Sequence, residues 1–129
     1  MLYLYDSIMI VPRLQEEFWK VMGSDYLPEA EQNGLRLVGM FMMGIHYNEN
    51  LALWELDNWA TLDRIQQLHD KHPWMKAWQR EAVDYVTDSF GKVLEPAPFS
   101  PTLAQLKKGD YKSTIYLHTL ARVSPGKED

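Results

Sequence analysis

The chain has 129 residues, 46% of them hydrophobic, with no cysteine and a formal net charge of −5. That length suits one domain, and the composition excludes intrinsic disorder, disulfides, thiolate metal sites and a cysteine nucleophile. Residues 1–106 carry 8 basic and 15 acidic side chains and residues 107–129 carry 5 and 3, so the acidic body lacks the basic face that nucleic acid requires.

Residues 2–11, LYLYDSIMIV, are rich in aromatic and β-branched types and predict a first strand. The stretch MLYLYDSIMIVPR has neither a basic n-region nor a small-residue cleavage site, so it is not expected to be a signal peptide. No apolar run approaches the roughly 20 residues that span a bilayer. A soluble, cytoplasmic protein without membrane contact is expected. On the strand, Tyr3 and Tyr5 share one face, and Leu2, Leu4 and Asp6 share the other.

Pro12 suits the first turn of a helix. Leu14, Phe18, Val21 and Met22 then recur at helical spacing. Gly23 and Pro28 interrupt the pattern, so a break before a short continuation over 26–32 is expected. Asn33-Gly34 signals a turn. Residues 35–45 (LRLVGMFMMGI) and 51–57 (LALWELD) read as an antiparallel hairpin joined by the polar HYNEN connection.

A second helix carries Leu62, Ile65, Gln66 and His69 on one face. Pro73 disfavours helical geometry at His72 and removes a donor. A fresh helix is therefore expected from Pro73, with Trp74, Trp78, Ala82, Tyr85 and Val86 along one stripe. Residues 88–94 read as a fourth strand. EPAPFSP leads out of the core, followed by a short helix over 102–108, a fifth strand over 113–121 and a frayed tail. The order β-α-β-β-α-β predicts an α+β, ferredoxin-like fold with an antiparallel sheet. Residues 1–101 form its domain and 102–129 a C-terminal extension. Because LVGMFMMGI is apolar on both faces and helices cover only one, a second copy of the sheet is expected on the other. The product is a homodimeric α+β barrel.

This order, the strand ending near LVGMF, and LALWELDNWA before a helix resemble the NIPSNAP-like members of the dimeric α+β barrel superfamily. Most of the likeness lies in HPWMKAWQREAVDYVTDSFGKVLEPAPFSP, through Pro73, Trp74, Trp78, Leu94, Pro96 and Phe99 to Pro101. It covers about residues 1–101. The resemblance implies a container fold for a small organic ligand. The superfamily includes cofactor-independent monooxygenases, cyclases, isomerases, dehydratases and haem-handling enzymes, so it sets a ligand class rather than a reaction.

Candidate acid-base residues are His69, His72, His46 and Asp6. Histidine suits proton transfer because its ordinary pKa is near neutral. A carboxylate in an apolar strand must be solvated, paired or functional, and Arg36 on the neighbouring strand is the expected partner of Asp6. Glu55 and Asp57 pose the same question on the third strand. Two histidines three residues apart also suggest a metal half-site, but further ligands are lacking and no metal is expected. His46 and Tyr47 also fit a solvated turn. His118, with Tyr116, reaches the pocket only if the C-terminal strand folds over the barrel. Trp54, Trp78, Tyr3, Tyr5, Phe41 and Met43 are the expected ligand-contacting residues, as members of an apolar cavity. The leading expectation is a cofactor-free cyclase, isomerase or monooxygenase acting on a small apolar or aromatic metabolite by His/Asp chemistry. The alternatives are a non-catalytic dimeric binding protein and, more remotely, a haem protein.

Overall fold

The computed structural model describes residues 1–44, 46, 48–71, 73–109, 116–119 and 121, of which 69, 70, 73–75 and 77 by backbone alone. Strand β1, Leu2–Ile10, is followed by helix α1 (Gln15–Val21), a π-helical turn (Met22–Tyr26) and α2 (Leu27–Gln32). Then come β2 (Arg36–Met42), β3 (Glu49–Leu56), α3 (Trp59–Lys71), α4 (Pro73–Ala82), β4 (Val86–Leu94) and α5 (Leu103–Lys108). The strands lie in the order β2-β3-β1-β4, and every neighbouring pair is antiparallel. This is the ferredoxin-like arrangement.

Alternation along the strands decides what the helices cover. Leu2, Leu4, Ile8 and Ile10 of β1 join Ala52, Trp54 and Leu56 of β3 in one core with Phe18, Met22, Ala30, Leu62 and Ile65 from the helices. Asp6 has the same parity, so it too faces the helices. Tyr3, Tyr5, Ser7, Leu51, Leu53 and Glu55 point the other way. On β2 the register shifts between Leu37 and Gly39, leaving Val38 as an extra residue. That bulge keeps Leu37 and Met40 on the helix side and sends Phe41 to the far side.

The first helical segment does not break at Gly23. It widens into the π turn and continues through Pro28, which sits at the start of α2, where its missing N–H costs no hydrogen bond. Asn33-Gly34 closes α2. The Leu35 N–H donates to the Ala30 carbonyl and the Gly34 N–H to that of Glu31, with Gly34 at φ 86°, the left-handed geometry that glycine adopts without penalty. As expected, α3 ends before Pro73 and α4 begins on it. The expected stripe from Trp74 to Val86 is too long, however. Helix α4 stops at Ala82, Tyr85 closes the following turn onto the Ala82 carbonyl, and Val86 opens β4.

The extension returns to the sheet. Thr102 and Gln105 form a reciprocal capping box on α5, and Leu103 is buried. Residues 116–119 form no strand, and the rest of the expected fifth strand, apart from residue 121, lies outside the described residues. Tyr116 packs on Phe41 at 5.2 Å between ring centroids, and His118 on Tyr5 at 5.3 Å. The centre of the sheet face expected to await a second copy is thus overlaid by the chain's own C-terminal segment. Phe90 and Leu94, on the edge strand β4, are 50% and 39% exposed. Among the described residues no helix is long and apolar enough to cross a membrane.

Candidate functional site

A cavity of about 310 Å³ lies between the sheet and the helices. Its floor is Asp6 and Ile8 of β1, Trp54 of β3, and Ser89 and Gly91 of β4. Its walls are Phe18, Met22, Tyr26, Trp78 and Ala82. Tyr26 holds the aromatic wall together, its ring 5.7 Å from Trp54 and 5.0 Å from Trp78. Such π turns recur at functional sites. Here the turn places Met22 and Tyr26, its first and last residues, along the cavity wall.

Among the described residues, Asp6 is the one charged side chain in this lining. Loss of hydration raises its pKa from 3.8 to about 6, against a smaller downward pull from the polar N–H of the Trp54 indole. Trp54 reaches it diagonally across the sheet, since Leu4 opposes Trp54 and Asp6 opposes Ala52. The Tyr26 phenol is also pushed upward, by burial first and by the charge of Asp6 second. It therefore stays neutral and able to donate. The arrangement is a weakly acidic carboxyl poised near neutrality, a neutral phenol and flat aromatic walls.

Gly91 completes the floor. A Cβ there would stand 2.8 Å from Asp6 Oδ1, so the carboxylate lies where any other residue's side chain would begin. Gly91→Ala should displace the carboxylate, reduce the favourable influence of the Trp54 N–H and raise the Asp6 midpoint above about 6. A carbon-detected NMR titration of the Asp6 carboxyl checks this. An unchanged midpoint would show that Gly91 does not set its position.

The expected site residues divide. Asp6, Trp54 and Trp78 meet in this cavity. Tyr3, Tyr5 and Phe41 lie on the opposite sheet face, and Met43, just past β2, lines no part of the cavity. They do not join the expected single cavity, because the Val38 bulge and strand parity separate Phe41 from Trp54. His46 is exposed in the β2–β3 connection, where its carbonyl accepts from the Glu49 N–H at 2.8 Å. His118 covers Tyr5 on the far face. The side chain of His69, and His72 and Tyr47 altogether, lie outside the described residues. No described histidine lines the cavity, and among the described residues no three His, Asp or Glu side chains converge as a metal site.

Arg36 is not the partner of Asp6. It opposes Glu55 in register and its Nη2 donates to Glu55 Oε1 at 3.1 Å and Asp57 Oδ1 at 2.7 Å, which lowers the Asp57 pKa. Glu55 is buried and fully engaged. The Tyr3 hydroxyl donates to its Oε2 at 3.0 Å and the Leu103 N–H at 2.7 Å. Burial and this carboxylate push the Tyr3 phenol up to about 12. The question left over Glu55 and Asp57 resolves to an ion pair that also fastens the extension. Sequence reasoning missed Tyr26, Met22 and Gly91. A glycine inside DSFGKVL was the available signal, since strand glycines mark close approaches.

No family model matches the chain, and no curated protein does. Among solved structures it is similar to a NIPSNAP domain protein from Burkholderia xenovorans, at TM-score 0.70 and 22% identity over 79% of this chain and 100% of the other. It is also similar to a NIPSNAP family protein with unknown function from Agrobacterium tumefaciens, at TM-score 0.67 and 21% identity over 78% and 92%. The chain has the NIPSNAP domain fold. That fold shades into a wider one. An antibiotic biosynthesis monooxygenase superposes at TM-score 0.58 and 14% identity over 76% of this chain and 100% of its own. The shares imply that about a fifth of this chain has no counterpart in the first NIPSNAP structure.

Proposed function

We propose that this chain, as a NIPSNAP-like protein, binds a small aromatic or enolisable metabolite in the helix–sheet cavity and uses Asp6 as general base. The observation that supports this most is the Asp6 carboxylate, raised to about 6 within a cavity whose other described side chains are uncharged and largely aromatic. A base near the working pH best combines ionisation with proton affinity. Asp6 would remove a proton from a phenol or from the carbon beside a carbonyl. Neutral Tyr26 would donate to the oxygen on which charge develops. Cyclase, isomerase and cofactor-free monooxygenase chemistry can all begin with such an anion, and the proposal calls on no cofactor.

A non-catalytic binding role is favoured by one observation, that the described lining holds one carboxylate and no histidine. Deuterium exchange into 2-tetralone, followed by NMR in heavy water, separates the two. Exchange accelerated by the protein, with a midpoint near pH 6 and lost in Asp6→Asn, supports the base. Binding seen as tryptophan quenching, without accelerated exchange, supports the binding role. Neither binding nor exchange removes both.

Association with a second copy through the open sheet face belongs to this proposal. Exposed Phe90 and Leu94 support it, as apolar side chains on that face of the edge strand. Sedimentation equilibrium should show a dimer, and a monomer at high concentration would remove this part.

A further inference from the structure

A second cavity, of about 240 Å³, adjoins the first and includes Trp19, Met22, Gly23, Leu37, Met40 and Trp54. It shares Met22 and Trp54 with the Asp6 cavity. None of its described lining side chains is charged. Of its two indole N–H groups, that of Trp19 is already donated to Asn50 Oδ1 at 3.0 Å, and that of Trp54 serves the Asp6 carboxylate. It therefore suits the apolar part of a ligand and no polar end.

The wall between the cavities is soft. Met22 is buried and carries a flexible thioether, the side chain that most readily adapts to an irregular gap. The π turn puts Met22 on the boundary, Tyr26 on the Asp6 side, and Gly23 and Leu27 on the apolar side. Gly23 is exposed there, and a Cβ added to it meets no atom within 4 Å. The missing side chain keeps the mouth open although no backbone geometry demands glycine, since Gly23 has no positive φ.

We propose that this second cavity is the tail-binding half of the site, so that the ligand is an aromatic or enolisable head carrying an unbranched apolar chain. The head lies against Asp6 and Tyr26, and the chain passes Met22 to lie between Trp19, Leu37 and Met40. This rests on the proposed placement of the head at Asp6, and the two can fail separately.

The test is a series of 4-alkylphenols, from methyl to heptyl, titrated against the full chain by quenching of tryptophan fluorescence. Each added methylene should tighten binding about fourfold until the cavity is filled. In Gly23→Leu the new side chain occupies the mouth, and the dependence on chain length should go flat. That variant should fold, because leucine is the better helix former and Gly23 has no positive φ that only glycine would accept. A flat series in the unmodified chain, an undiminished slope in Gly23→Leu, or no binding by any member overturns the proposal. Affinity indifferent to Asp6→Asn, with a slope that Gly23→Leu abolishes, would remove the head from Asp6 and keep the tail cavity.

Discussion

Asp6→Asn is expected to make the folded chain more stable at neutral pH while abolishing any proton transfer. Folded Asp6 titrates at about 6 and the unfolded chain near 3.8. Between those values the folded state holds the proton more tightly. Stability from this group is therefore full below about 3.8, falls as pH rises through the window, and stays low above about 6. The deficit at neutral pH is about 1–3 kcal/mol, from 1.36 kcal/mol per pH unit and partial solvation. Asparagine keeps an acceptor for the Trp54 N–H and the same shape above Gly91, but carries no charge to desolvate. Urea melts of both chains across the acid range should show the asparagine chain ahead by that amount at neutral pH and level with the original at low pH. A constant difference at every pH would mean that burial does not raise Asp6. Stability gained with function lost marks a group retained for chemistry, whereas a structural carboxylate gives the opposite result.

How far this site could be read beforehand depends on which interactions are local. Alternation in LYLYDS places Asp6 with Leu2 and Leu4, because side-chain direction in a strand follows from parity alone. Pro73 marks the α3–α4 junction for the same reason, through a clash confined to one residue. The partner of Arg36 is another matter. It depends on the register of β2 against β3, which the loop and the extra residue Val38 set together, and no periodicity reveals either. That bulge also sent Phe41 away from Trp54, although both belong to apolar strands of one hairpin. Tyr26 was hidden because Gly23 and Pro28 look like helix breakers. The π turn absorbs the first, and the start of α2 accepts the second. The two apolar faces of β2 correctly signalled a second cover, but no local pattern could show that the extension supplies part of it.

Glu55→Ala should be strongly destabilising for a change outside the core, at about 2–3 kcal/mol, below the range for breaking a fully buried ion pair because the Arg36 side chain is 34% exposed. Glu55 is 3% exposed and gathers three donors: the Arg36 guanidinium, the Tyr3 hydroxyl and the Leu103 N–H. Truncation leaves the amide of Leu103 without its acceptor at a buried position and leaves Arg36 with only exposed Asp57. The Tyr3 hydroxyl has the Pro101 carbonyl at 3.2 Å as an alternative, so the loss concentrates on Arg36 and on the start of α5. The consequence should be local as well as global. Released from Glu55, α5 is a helix of six residues, too short to persist without tertiary support, and the sheet face beneath it opens. Denaturant melts measure the global loss. Hydrogen exchange at residues 103–108 should accelerate more than that loss accounts for, and sedimentation should show stronger self-association through the sheet face around Tyr3 and position 55 that α5 leaves. Equal protection of α5 in both chains would mean that Leu103 packing alone, without the Glu55 acceptor, holds the extension on the sheet.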